Sequence, residues 1–147
     1  MSIAVAVSLD RVRIPIAQER VAQVAHAVLR AERVRDAMLS VTFLSTAAMT
    51  RLNKRHLRRN RPTDVIAFGF RRTARSAPVI GDVYIAPEVA RASAASNGIS
   101  VREELVRLVV HGTLHVLGYD HPESEAREKS RMWRRQERLV QKLKRTS

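Results

Sequence analysis

The chain has 147 residues and no cysteine, with 45% hydrophobic and 28% charged residues. That length suffices for a single domain over residues 1–147 with one buried core, and the missing thiols exclude disulfides, cysteine nucleophiles and thiolate metal sites. The 27 Lys+Arg against 14 Asp+Glu leave a formal net charge of +13, which favours a polyanionic partner, nucleic acid first, over charges that merely solvate helices.

The opening residues place no basic segment ahead of their short apolar run, so they read as a strand rather than a secretion signal. No stretch reaches membrane-spanning length. A cytoplasmic protein without a membrane partner is therefore expected. Ile3, Val5 and Val7 alternate with small residues in this first strand. Pro15 at a helix start, then Ile16, Val21, Val24, Ala25, Val28 and Leu29 at helical spacing, predict an amphipathic helix to about Val34. Residues 37–44 alternate through Leu39, Val41 and Phe43 as a second strand. Ser45 or Thr46 can then cap a helix through Ala47, Met49, Leu52 and His56.

A basic loop over residues 58–63 follows, where Pro62 forbids helix. Residues 65–70 and 80–86 read as the third and fourth strands, joined by the Arg-rich connection RRTARSAP. Residues 87–97 read as a short helix ended by Gly98. Ser100 and Glu103 form a capping box for a helix reaching Leu117, nearly all apolar after Glu104 and hence the buried spine. From Glu123 a long basic helix carries Met132, Trp133, Leu139, Val140 and Leu143 as its apolar stripe. Four strands and about five helices mix without strict βαβ alternation. The expected class is α+β, a mixed sheet with the histidine helix at the core, rather than a doubly wound sheet.

Three of the five histidines fall in HGTLHVLGYDH, at positions 111, 115 and 121. Four residues of helix turn a side chain by about 400°, so His111 and His115 share one face with Cβ atoms roughly 5–6 Å apart. Gly118 tolerates positive φ and lets the chain swing back, bringing His121 toward the same point. A lone histidine is more often a satisfied core residue. Three at this spacing in a cysteine-free chain favour a metal. Three neutral nitrogens with an open fourth position suit one catalytic Zn²⁺ per chain. Metzincin proteases share the His-x3-His-x5-His spacing, but Gly112 stands where their general-base glutamate is needed, so a protease ranks third among the readings.

HGTLHVLGYDH closely resembles the HGxLHLxGYDH signature of the YbeY family of metal-dependent endoribonucleases. LNKRHLRRNRPTDVIAF is similar to that family's Leu-Asn and Pro-Thr-Asp-Val elements, and Ile80-Gly81-Asp82-Val83 to its LGDI element. Met132 and the Gln136-Glu137 pair resemble its closing helix, so the likeness spans roughly Leu52 to Val140. The resemblance implies an α+β fold with a four-stranded sheet and zinc as the metal. It also implies cleavage of single-stranded RNA in small-subunit ribosomal RNA maturation and ribosome quality control. The chain departs from the pattern at Ala67 and Gly69, and at Leu57, where the family carries an arginine implicated in activity. Arg58, one residue later, is the candidate replacement.

Arg55, Arg58, Arg59 and Arg61 are expected to form a phosphate-binding rim, with a solvated helix end as the alternative. Asp120 is expected either to orient a ligating imidazole from outside the ligand set or to stabilise the turn before Pro122. The reading that competes with a nuclease is a zinc-containing, ribosome-associated RNA-binding protein with weak or no cleavage.

Overall fold

The computed structural model describes residues 2–57, 63–119 and 131–144. The chain runs β1 (Ile3–Asp10), α1 (Gln18–Ala31), β2 (Ala37–Leu44), α2 (Thr46–Leu57), β3 (Val65–Gly69), β4 (Val79–Ile85), α3 (Pro87–Asn97), α4 (Val101–Val116) and α5 (Arg131–Lys144). The strands form one mixed sheet in the order β1-β2-β4-β3. β1 and β4 flank β2 in parallel, and β3 closes the edge antiparallel to β4. This is the α+β architecture that the sequence predicts.

Burial follows the pleat. Leu39, Val41 and Phe43 of β2 and Val79, Val83 and Ile85 of β4 are buried, while the alternate residues Met38 and Ile80 are exposed. The inward set joins Val21, Val24, Val28 and Leu29 of α1 and Leu105, Leu108, Val109 and Leu114 of α4 in one core. On the opposite face, Met49 of α2 packs with Leu44, Ile66 and Ala86 in a smaller cluster. No helix among the described residues is long and apolar enough to cross a membrane.

α4 is the spine, touching α1, α3, α5, β3 and β4. Ser100 starts it: its Oγ accepts from the Glu103 N–H at 3.0 Å, and Glu103 and Glu104 place negative charge at the positive end of the helix dipole. The helix lies close against the sheet where glycines stand at the contact. A Cβ on Gly112 would stand 2.5 Å from Val83 Cγ1, and one on Gly69 only 2.6 Å from the Val116 carbonyl oxygen.

Several boundaries differ from expectation. α1 begins at Gln18 rather than at Pro15 and ends at Ala31 rather than near Val34, and β4 begins one residue early at Val79. α5 buries Met132, Gln136, Leu139, Val140 and Leu143, so Gln136 replaces the half-buried Trp133 in the inward stripe. Residues 120–130, where that helix was expected to start, lie outside the described residues.

Candidate active site

α4 presents His111 and His115 one turn apart on one face. Their rings are nearly parallel, with planes within 5° and centroids 6.4 Å apart. His111 is half-buried and His115 exposed. Each ring meets a carbonyl oxygen at Nδ1: Gln136 Oε1 at 2.7 Å for His111, and the Tyr119 main-chain oxygen at 3.1 Å for His115. A carbonyl oxygen can only accept, so the proton of each neutral ring belongs on Nδ1 and the lone pair on Nε2. That tautomer is the one a metal-ligating histidine adopts when a neighbour fixes its other nitrogen.

The next link decides which way the Gln136 amide points. Gln136 Nε2 donates to Glu137 Oε2 at 3.0 Å. Arg107 grips the same carboxylate, Nε donating to Oε2 at 2.9 Å and Nη2 to Oε1 at 3.0 Å. Burial pushes the Glu137 carboxyl up, but hydrogen bonds from Arg107 and Gln136 outweigh it and hold the group below its usual range. Glu137 therefore stays an ionised acceptor. Turning the amide over would set the Gln136 oxygen against that carboxylate, so its oxygen must face His111. Arg107 also bonds Glu103 at 3.1 Å, and Glu103 takes Lys144 at 2.9 Å. A chain of alternating charges thus ties α4 to α5 and ends on the His111 ring.

His115 has a separate support. Gly118, at φ 101°, turns the chain past the helix end, and the Tyr119 N–H returns to the Leu114 oxygen at 3.1 Å. The Tyr119 hydroxyl donates to Glu32 Oε1 at 2.5 Å, and Arg135 Nε donates to Glu32 Oε2 at 2.6 Å. The bond to Glu32, with burial second, raises the pKa of the phenol, which stays a protonated donor. The Arg131 guanidinium lies 5.4 Å from the Tyr119 ring centroid. The carbonyl that orients His115 is thereby braced from α1 and α5 together.

A cleft of about 610 Å³ opens past the C-terminal end of α4, bounded by His115, Tyr119, Glu32, Phe70, Arg71 and Arg72 among others. Arg55 lies exposed on α2. His121, Asp120, Arg58, Arg59 and Arg61 lie outside the described residues, as does any geometry they contribute. Among the described residues no third His, Cys, Asp or Glu completes a metal-binding group with the histidine pair.

Sequence reasoning missed the supporting roles of Gln136, Tyr119 and Glu32, and the place of Phe70, Arg71 and Arg72 in the cleft. Gln136 left a readable signal, a polar residue at helical spacing within an apolar stripe. Glu32 left none, because its partners lie 87 and 103 residues away. The protease reading also meets a physical obstacle, since position 112 faces Val83 in the sheet and has no room for a side chain.

The family described as Endoribonuclease YbeY matches residues 7–144. Three curated proteins named Endoribonuclease YbeY are similar to this chain. That of Desulfitobacterium hafniense is 39% identical over 125 residues, covering 80% of this chain and 78% of its own. That of Geobacter metallireducens is 35% identical over 131 residues, covering 87% of each. That of Syntrophus aciditrophicus is 30% identical over 142 residues, covering 95% of this chain and 89% of its own. The Thermotoga maritima protein TM1509, solved in solution, shares the fold with a TM-score of 0.65 at 23% identity, over 95% of this chain and 88% of that one.

Proposed function

This chain belongs to the YbeY family of endoribonucleases, and from that premise we propose that it is a zinc-dependent, single-strand-specific endoribonuclease. Its substrate is ribosomal RNA, and its setting is small-subunit maturation and ribosome quality control in the cytoplasm. The observation that carries the reading is the pair of histidines fixed at Nδ1 by the Gln136 and Tyr119 carbonyl oxygens. A nuclease that hydrolyses a phosphodiester needs an electrophile beside the phosphate and a way to stabilise charge on oxygen.

His111, His115 and His121 are the residues that would hold one Zn²⁺, and the donor set fits. The two imidazoles keep their lone pairs on Nε2, and the chain has no thiolate to compete. When bound, zinc supplies a Lewis acid that polarises phosphoryl oxygens and acidifies water. The protein's own residues do the rest. Gln136 and Tyr119 hold the imidazoles in one tautomer and one orientation. Arg55, Arg58, Arg59 and Arg61 bind phosphates, with Arg58 as the candidate that stabilises charge on the cleaved phosphate. Asp120 supports the ligand set from outside it.

The experiment measures zinc content and cleavage of a single-stranded ribosomal RNA fragment together. His111→Ala, His115→Ala and His121→Ala should each deplete zinc and abolish cleavage, and chelation should reproduce the loss in the wild type. Arg58→Ala should keep zinc but lose cleavage by about 10²-fold, the scale of one preorganised charge-stabilising donor. Full zinc occupancy in His121→Ala would refute the three-histidine site. A zinc-loaded wild type that binds the RNA and leaves it intact would make the protein an RNA-binding factor instead.

A further inference from the structure

β3 ends at Gly69, held against the end of α4 so closely that a Cβ there would meet the Val116 carbonyl oxygen. The next residue, Phe70, is fixed by its N–H donating to the Ile80 oxygen at 2.9 Å. The residue is nonetheless 66% exposed, at the lip of the cleft that His115 lines. Arg71 and Arg72 follow on the same wall, both exposed, with Arg72 Nη2 donating to the Arg75 oxygen at 3.1 Å. Among the described residues neither arginine pairs with a carboxylate. Among the described residues the one carboxylate lining the cleft is Glu32, which Arg135 and Tyr119 already engage. The wall therefore combines a solvent-facing aromatic residue with two cations that no carboxylate among the described residues pairs.

A single exposed phenylalanine is ordinary on a protein surface. Its place in one cleft with His115 and an arginine pair is not explained by packing. Unpaired nucleotides are held by this combination, a base stacked on a ring and the flanking phosphates on guanidinium groups. A duplex offers phosphates but no accessible base face. We infer that Phe70, Arg71 and Arg72 form the ledge that seats one unpaired nucleotide of the substrate strand beside His115. Phe70 stacks on the base, and Arg71 and Arg72 hold the phosphates on either side. The inference rests on the RNA-cleaving reading and deepens it, because it makes the cleft wall the source of single-strand preference.

The test uses the full-length, zinc-loaded protein and fluorescence anisotropy with a short labelled RNA, single-stranded or paired with its complement, across a salt series. Phe70→Ala should weaken single-strand binding by about fivefold or more, the scale of one lost base–aromatic stack, and leave duplex binding unchanged. Phe70→Trp should preserve it. Arg71→Gln with Arg72→Gln should reduce the slope of log affinity against log salt by about 1.4, or roughly 0.7 for each phosphate contact to a single strand. Phe70→Ala binding the single strand as tightly as wild type would overturn the ledge while leaving RNA cleavage standing. Equal losses on single strand and duplex would also overturn it, because stacking would not be the cause. If the wild type binds neither RNA, the substrate reading itself fails.

Discussion

At the scale of single residues, the site depends on side chains that never reach a substrate. Gln136 is buried and has one donor and one acceptor to serve: its oxygen accepts the His111 Nδ1 proton, and its amide nitrogen donates to Glu137. Gln136→Leu would keep the volume and remove both bonds, taking from the His111 ring the partner that fixes its Nδ1. Zinc affinity measured against a competing chelator should then fall by about 10–100-fold, the usual effect of losing a partner that orients a ligand. Melting should shift much less than zinc affinity, and Gln136→Glu, which keeps an oxygen facing His111, should retain more affinity than Gln136→Leu. Equal affinity in Gln136→Leu and wild type would show that the amide is only a packing element.

At the scale of elements, local chemistry was legible where the chain signals it locally. The strand over residues 37–44, the helix over residues 87–97 and the Ser100 cap lie where alternation, Pro87 and Gly98, and the Ser-x-x-Glu pattern put them. α1 ends earlier than expected because Arg33, not glycine, adopts the left-handed conformation at φ 63°, and the Val34 N–H closes on the Leu29 oxygen at 2.9 Å. No residue type announced that stop. β4 starts at Val79 because Val79 pairs with Ala37 across the sheet, a partner 42 residues away that no local pattern reveals. The histidine pair was legible from its spacing, while its supports from α1 and α5 were not. Gly112 stands where a protease needs its catalytic base, and the structure gives it a packing reason as well. Gly112→Ala tests that reason, since helix propensity favours alanine by up to about 1 kcal/mol. Overpacking a filled core opposes it by about 1–3 kcal/mol, and Val83 is a fully buried, β-branched neighbour with little room to move. Urea unfolding should therefore show Gly112→Ala destabilised in the wild type and neutral or stabilised in a Val83→Ala background. An identical effect in both backgrounds would mean that the Val83 contact does not set the helix–sheet distance.

At the scale of the whole molecule, acids and bases are distributed differently. Glu103, Glu104 and Glu137 sit in the α4–α5 seam against Arg107 and Lys144, and Glu32 sits against Arg135. These four carboxylates are thus matched locally by bases, and the sequence as a whole carries a surplus of +13. Exposed bases occur on α2 at Arg51, Lys54 and Arg55, on the β3–β4 connection at Arg71, Arg72 and Arg75, and on α5 at Arg134, Arg138 and Lys142. A polyanion should respond to such a surface mainly through counterion release, because only six aromatic residues are available for stacking. Not every cation need touch RNA. An amphipathic surface helix carries charge outward simply to stay solvated, and α5 has that pattern along its whole length. The segment from Arg55 to Arg61 concentrates four arginines at the end of a helix, and neutralising Arg55, Arg58, Arg59 and Arg61 together should lower RNA affinity. It should also make the slope of log affinity against log salt shallower by about 0.7 for each single-strand phosphate contact removed. Neutralising Arg134, Arg138 and Lys142 on α5 removes nearly as much charge and should change that slope far less. If the α5 variant flattens the slope and the Arg55 to Arg61 variant does not, the RNA runs along the basic face of the last helix and the segment after α2 is the solvated one.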